Sequence, residues 1–400
     1  MNQCRIIDIE WINQAENFEV FFQHCPNIVL IRFFDECMTA EQVSSAMDTV
    51  KTASKKYPGK KIIVIMGYVY MEKFSTIMPD EFDYVLVNQL WLWIHKRIVV
   101  DKVSKLVNKW NPDNCNWLLL LGKLLSQHRL GLLYYFYKQN LLDRCTWSLK
   151  FDETLLDDYL EYLPGLTKDQ ASQWLQDHAR SPDQIQMVNT QQRQAHYAGI
   201  PYGNIYQDSL FQVISETGVN ASLVWITEKT WLSIINCRPF MVLGNPGTYQ
   251  VLENLGFDTY SRFLIDQNFD KPIDLVARFH SLTNNVRHWL EILPDHADQI
   301  LQITKSNQRR LIELVEIDLK KLSDLIITHN LDVNVYDLTT WTEYSDFGAH
   351  IEQSKWTNFY NRIKDSAWPA CDDERDFVNL PKHIQRECID VFGYRPRENL

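Results

Sequence analysis

The chain is poor in the residues that loosen a fold. Its 400 residues include 13 glycines and 14 prolines, too few for long flexible linkers between domains. It has no CxxC pair and no Cys/His group at zinc spacing. Cys4, Cys25, Cys37, Cys115, Cys145, Cys237, Cys371 and Cys388 are scattered. In a chain this long they read as buried, reduced thiols of a cytosolic protein. Positive charge is also scarce. The formal net charge is −11, and the basic stretches 51–61 and 305–310 are short and read as solvated helix faces. A sequence-independent binder of duplex nucleic acid needs a basic field, so the composition announces no such partner. The first five residues lack a charged start followed by a long apolar core, which argues against a signal peptide. The apolar runs 117–125 and 130–137 are too short or interrupted to span a bilayer. A soluble, cytoplasmic protein is expected.

What is present is an ordinary globular composition, 45% hydrophobic and 23% charged, with a length that suits two or three domains. Aromatic residues are abundant: 13 Trp, 18 Tyr and 19 Phe. Most are expected in cores and domain contacts, while an exposed ring would stack on a sugar or a base.

Strand-like and helix-like segments alternate. Residues 27–34, 61–66 and 83–88 are apolar, β-rich runs, and 39–56 has helical spacing. Continuous apolar strands separated by helices indicate a parallel sheet covered on both faces. A long helix is expected over 90–110, then a boundary at Asn111, Pro112, Asp113 and Asn114, a cluster of turn formers. The same rhythm restarts with strands at 117–121 and 145–149 around a helix at 128–139. Helical pieces follow at 155–163 and 168–178, and a strand within 205–215. A loop running into a helix covers 225–237, a strand 239–243, a helix 248–255, and a long helical region 271–325. The last stretch, with Trp341, Trp356 and Trp368, reads as a mostly helical appendage. The expectation is an α/β chain of two Rossmann-like domains facing across a cleft, 1–112 and 113–330, with the appendage at 331–400.

The most informative segment is 223–260. Thr227 suits the N-cap of a helix starting at Glu228, and a helix N-terminus presents N–H groups and partial positive charge to a phosphate. Lys229 adds a point charge, and Glu228 is placed to accept hydrogen bonds from ribose hydroxyls. The strand 239–243 closes on the Gly-rich turn Gly244, Asn245, Pro246, Gly247, at the strand end where parallel sheets bind ligands. Capping and an ordinary turn explain the same residues without a ligand.

The order acidic-lysine, helix, Pro-Phe strand, Gly-x-Pro-Gly turn, helix and Gly-Phe resembles the donor domain of GT-B-type glycosyltransferases. It is similar to bacterial and phage-type members with a Thr-Glu-Lys-Thr segment, and more distantly to the fucosyltransferase and exostosin families. The resemblance implies two Rossmann-like domains, with a nucleotide sugar (UDP-, GDP- or similar) bound mainly by the second. Glu228 and Lys229 would then serve ribose and diphosphate. Residues 118–149 resemble the first βα unit of that domain. Of its basic loop only Lys123 remains before His128 and Arg129. Arg129 has two readings, a fork on the diphosphate or a salt bridge beside a capping His128. Glu216 fits the family pattern as a contact to the donor sugar, or as a partner of Lys229. Residues 263–270 resemble an acidic family element in which Asp266 and Asp270 remain and Gln267 replaces an acid. Trp231, Leu232 and Ser233 stand where relatives carry Lys-Pro.

A transferase also needs a base near the acceptor hydroxyl. Asp35 and Glu36, after the strand 27–34, have the position for it, and also that of a helix cap. No metal-binding diphosphate clamp stands out, so a metal-independent site using Lys and Arg is expected, with no tightly bound cofactor. The leading expectation is a cytoplasmic glycosyltransferase of a bacterium or phage-infected host, with a glycan or a modified DNA base as acceptor. The alternative is a non-catalytic binding or structural protein on a decayed transferase fold.

Overall fold

A computed structural model describes residues 2, 4–8, 12, 18, 22–23, 25–32, 40–66, 82–88, 90–92, 110, 116–120, 127–148, 160, 163–178, 209–219, 224–333, 335 and 338. The fold is mixed α/β with parallel sheets. The chain forms two compact units, one drawn from Met1–Met66, Lys73–Val85 and Leu325–Leu400, the other from Gly67–Glu72 and Leu86–Asp324. The chain passes between the units four times, at 66–67, 72–73, 85–86 and 324–325. The expected boundary at 111–114, most of the helix expected over 90–110 and nearly all of the appendage lie outside the described residues. No described helix is long and apolar enough to cross a membrane.

The first unit holds strands β1 (Cys4–Asp8), β2 (Ile28–Arg32), β3 (Lys61–Met66) and β4 (Asp83–Leu86), with helix α1 (Ala40–Lys56) between β2 and β3. Spatial order follows chain order, β1-β2-β3-β4. Cys4, Ile28 and Lys61 lie in register across the parallel trio β1–β3. All of β2 is buried, which is why it reads as one apolar run. β1 escaped the sequence reading because it is an edge strand, with Arg5 and Asp8 among its five residues. Its approach is fixed by Asn2, whose N–H donates to Asn330 O at 2.6 Å and whose carbonyl accepts from Asp332 N at 3.1 Å.

The second unit contains β5 (Trp117–Leu120), α2 (Gln127–Lys138), β6 (Cys145–Ser148), α3 (Lys168–His178), β7 (Gln212–Ser215), α4 (Glu228–Ile235), β8 (Phe240–Leu243) and α5 (Thr248–Asn254). Helices α6 (Leu275–Ile292) and α7 (Ala297–His329) follow. The helical region read as continuous over 271–325 is thus two helices. The break falls at Leu293, Pro294, Asp295 and His296, because Pro294 has no N–H to carry the ladder through.

Strand order here is β6-β5-β7-β8, and each pairing is parallel. The chain moves outward from β5 to β6, then returns to the other side of β5 for β7. The edge strand β8 is covered at Val242, whose N–H donates to the Tyr249 hydroxyl at 3.3 Å. Aromatic residues build the core. Trp117 stacks on Phe211 at 5.9 Å, Phe211 meets Trp289 edge-on at 5.4 Å, and Tyr260 bridges Trp289 and Phe240. These rings serve packing, as expected of most of the aromatic content.

Candidate functional site

Parallel sheets bind ligands at the carboxyl ends of strands, where the strand order reverses. In the second unit that point lies between β5 and β7. Helix α2 follows β5 there, and Glu216 follows β7, still held to the sheet by its N–H on Leu243 O at 2.9 Å. The described polar residues predicted for the site are brought together at this edge. Asp35, Glu36 and Lys123 lie outside the described residues.

Glu216 is fully buried. Its Oε1 accepts from Thr227 N at 3.1 Å and from the Thr230 hydroxyl at 2.5 Å, and its Oε2 accepts from the Thr227 hydroxyl. The carboxylate thus holds the start of α4 from the neighbouring strand end. Burial pushes the Glu216 pKa up, while the charge of Lys229 and the threonine donors oppose that shift. Thr227 is the N-cap, as its sequence position indicates. Its Oγ1 accepts from Lys229 N at a long 3.5 Å and from Lys229 Nζ at 3.1 Å. Lys229 Nζ also pairs with Glu228 Oε1 at 3.1 Å, with side chains only 14% and 12% exposed. The expected contact between Glu216 and Lys229 therefore runs through the Thr227 hydroxyl.

His128 ties α2 to the same strand end. Its Nε2 lies 2.9 Å from Glu216 O. A carbonyl only accepts, so Nε2 carries the proton. Burial pulls the His128 pKa down to about 4, and the charges of Arg129, Arg278 and Lys229 act in the same direction. The imidazole is neutral at physiological pH. Arg129, next in the first turn of α2, is buried.

The Gly-rich turn is engaged from within. Gly247 has φ +90°, a conformation that favours glycine, and its N–H donates to Asp270 O at 3.0 Å. A Cβ at Gly244 would meet Thr248 Oγ1 at 2.5 Å. Asn245 is buried, and its carbonyl accepts from Thr248 N and Oγ1. The Asp270 carboxylate accepts from Tyr249 N at 3.1 Å, so an internal anion occupies the start of α5. Burial raises the Asp270 pKa to about 6, against the pull of backbone donors and of Arg278.

Three helix starts at this edge therefore differ. That of α5 is supplied by Asp270 and that of α4 by Glu216. The first turn of α2 contains no acidic residue and carries Arg129.

Arg278 was missed by the sequence reading. It is wholly buried and donates to three backbone carbonyls, of Phe269, Val219 and Gly244. A signal existed: Arg278 lies four, eight and eleven residues before Leu282, Val286 and Trp289, on one buried stripe of α6. Comparison with protein-family models, curated proteins and solved structures finds no match.

Proposed function

We propose that this chain is a glycosyltransferase of GT-B type, with two Rossmann-like domains of which the second holds the nucleotide end of a sugar donor. The observation that carries the proposal is the first turn of α2. It is free of acidic residues, holds the buried Arg129, and has the charges of Lys229 and Arg278 within reach of His128. Such a convergence suits a diphosphate. Glu228, at the start of α4, is offered to ribose hydroxyls, and the acceptor is a glycan or a modified DNA base. The main catalytic effect would be charge neutralisation of the departing nucleoside diphosphate, with Asp35 or Glu36 as acceptor-side base. The resemblance of residues 223–260 to donor domains supports the same reading.

Calorimetric titration with UDP, GDP, ADP and CMP tests it. One of these should bind, and Lys229→Ala should weaken that binding by about tenfold, the loss of one charged hydrogen-bonding partner. No binding of any nucleotide, together with donor hydrolysis unchanged in Lys229→Ala, would sink it. A second reading, a non-catalytic binding protein on this fold, is favoured by one observation: Lys229 is already paired with Glu228 and Thr227. Nucleotide binding with no donor hydrolysis or sugar transfer would select it.

A further inference from the structure

Among the described residues, Arg278 is a fully enclosed cation whose geometry none of the roles above uses. A guanidinium offers five N–H donors in a rigid planar fork. In Arg278, Nε donates to Phe269 O at 2.6 Å, Nη1 to Val219 O at 2.5 Å, and Nη2 to Gly244 O. The acceptors belong to three separate pieces of chain: the loop after β7, the turn after β8, and the 3-10 turn Asn268–Asp270 that leads into α6. The first two leave the carboxyl edge of the sheet at neighbouring strands, and the third supplies the Asp270 carboxylate to the start of α5. The loops also touch one another, since a Cβ at Gly218 would lie 3.2 Å from Asn245 Nδ2. One side chain therefore sets the spacing of three loops whose backbone leaves no slack.

The charge of Arg278 matters as well as its shape. All three of its hydrogen bonds end on neutral carbonyls. The nearby carboxylate, Asp270, acts on it through space. Burial makes Asp270 reluctant to ionise, so the compensation it gives is partial. The positive charge is felt at His128, on helix α2 against which α6 packs, together with those of Arg129 and Lys229.

We propose that Arg278 is a positioning residue at this edge of the sheet: its guanidinium fixes the three loops and sets a buried positive charge against the carboxylates gathered there, so that a phosphate-bearing ligand meets backbone already held in place. The ligand half of this statement rests on the donor-site reading above; the loop-clamping half does not. Preorganised donors of this kind need no rearrangement when the ligand arrives, which is where their advantage lies.

The test uses the full chain with Arg278→Lys and Arg278→Met. Lysine keeps the charge and loses the fork; methionine keeps the bulk and loses both. Circular dichroism confirms folding, and if the Met variant fails to fold, the Lys variant carries the test. Amide exchange should show the loops at 217–219, 244–247 and 268–270 losing protection by about tenfold or more in both variants. The proton-monitored titration of the His128 ring should move up in Arg278→Met and stay nearly in place in Arg278→Lys, a difference that loop packing alone would not produce. Inorganic pyrophosphate, the probe for the site, should bind about tenfold more weakly to the Lys variant and weaker still to the Met variant.

Wild-type protection of those loops in both variants would overturn the clamp. Equal movement of the His128 titration in both would overturn the role of charge. If the wild-type chain binds neither pyrophosphate nor nucleotide, the donor-site reading falls, while exchange and the imidazole titration still decide what Arg278 does.

Discussion

The sheet of the first unit adds its strands in chain order, β1-β2-β3-β4, whereas that of the second doubles back, β6-β5-β7-β8. Where order is kept, successive connections turn the same way and no gap opens between neighbouring loops. Where it reverses, sheets of this kind have connections that part in opposite directions at the switch point. Buried polar groups follow this difference. Among the described residues, the buried charged side chain of the first sheet is Arg32. The second unit buries His128, Arg129, Glu216, Glu228, Asp270 and Arg278 near the carboxyl edge of its sheet, and Arg238 and Asp318 elsewhere. A buried polar group is tolerated only with partners, and that edge supplies them: Thr227 and Thr230 for Glu216, three carbonyls for Arg278. Among the described residues, most of the buried charge of the second unit gathers at the carboxyl edge of its sheet.

The sharpest way to break that contrast is to make one near-isosteric change at a matched, fully buried position in each sheet. Glu216→Gln keeps the shape but turns an acceptor of three hydrogen bonds into an amide that must also donate. Such a defect costs about 1–3 kcal/mol, and more where charge is involved. Ile31→Val in the fully buried β2 removes one methylene and costs about 0.5–1.5 kcal/mol. Urea unfolding should rank Glu216→Gln as the larger loss, and only that variant should lower nucleotide affinity. Equal losses would mean that the polar network at the reversal has no special weight.

Acidity sharpens the contrast, because two groups at the reversal respond with opposite signs. The folded pKa of His128, about 4, is below its ordinary 6.5. Its contribution to stability is therefore present above pH 6.5 and is lost as pH falls through 4. The folded pKa of Asp270, about 6, is above its ordinary 3.8. Its contribution is present below 3.8 and is lost as pH rises through 6. Each shift, carried through linkage, is worth about 3 kcal/mol at its limit. Relative to the wild type, Asp270→Asn should therefore gain stability as pH rises from 4 to 6, and His128→Gln should lose it. Chemical denaturation at four pH values checks the pair. Slopes of the same sign would show that one of these groups is not buried as described.

Much of this was legible locally. The strands at 27–34, 61–66, 117–121 and 239–243 were readable because parallel strands buried on both faces become continuous apolar runs. Thr227 was readable as an N-cap because capping is a matter of one hydroxyl and the next turn. What stayed hidden is non-local. Nothing in the order of β5, β6 and β7 along the chain says that β7 returns to the far side of β5. Arg278 meets carbonyls 59 and 34 residues away, which no spacing rule anticipates. Asp270 was singled out as part of an acidic segment, yet its role at the start of α5 depends on a fold in which 21 residues separate donor and acceptor. β1 was missed for a different reason: an edge strand needs only one covered face, so its pattern is weak.

The smallest expected effect separates glycines that serve a tight loop from one that does not. Gly247, in the turn after β8, has φ +90°, and a side chain there is strained whatever space surrounds it. Gly247→Ala should cost about 1–2 kcal/mol. Gly59, in the turn before β3, meets nothing within 4 Å of an added Cβ and has no left-handed φ. Gly59→Ala should be neutral or stabilise by about 0.4–1 kcal/mol, because alanine restricts the unfolded chain without straining the folded one. Thermal unfolding of the two variants measures the difference directly. A loss at Gly59 equal to that at Gly247 would mean that the turn of the first sheet is as tightly determined as the turn after β8, and the contrast between the sheets would then rest on their buried charges alone.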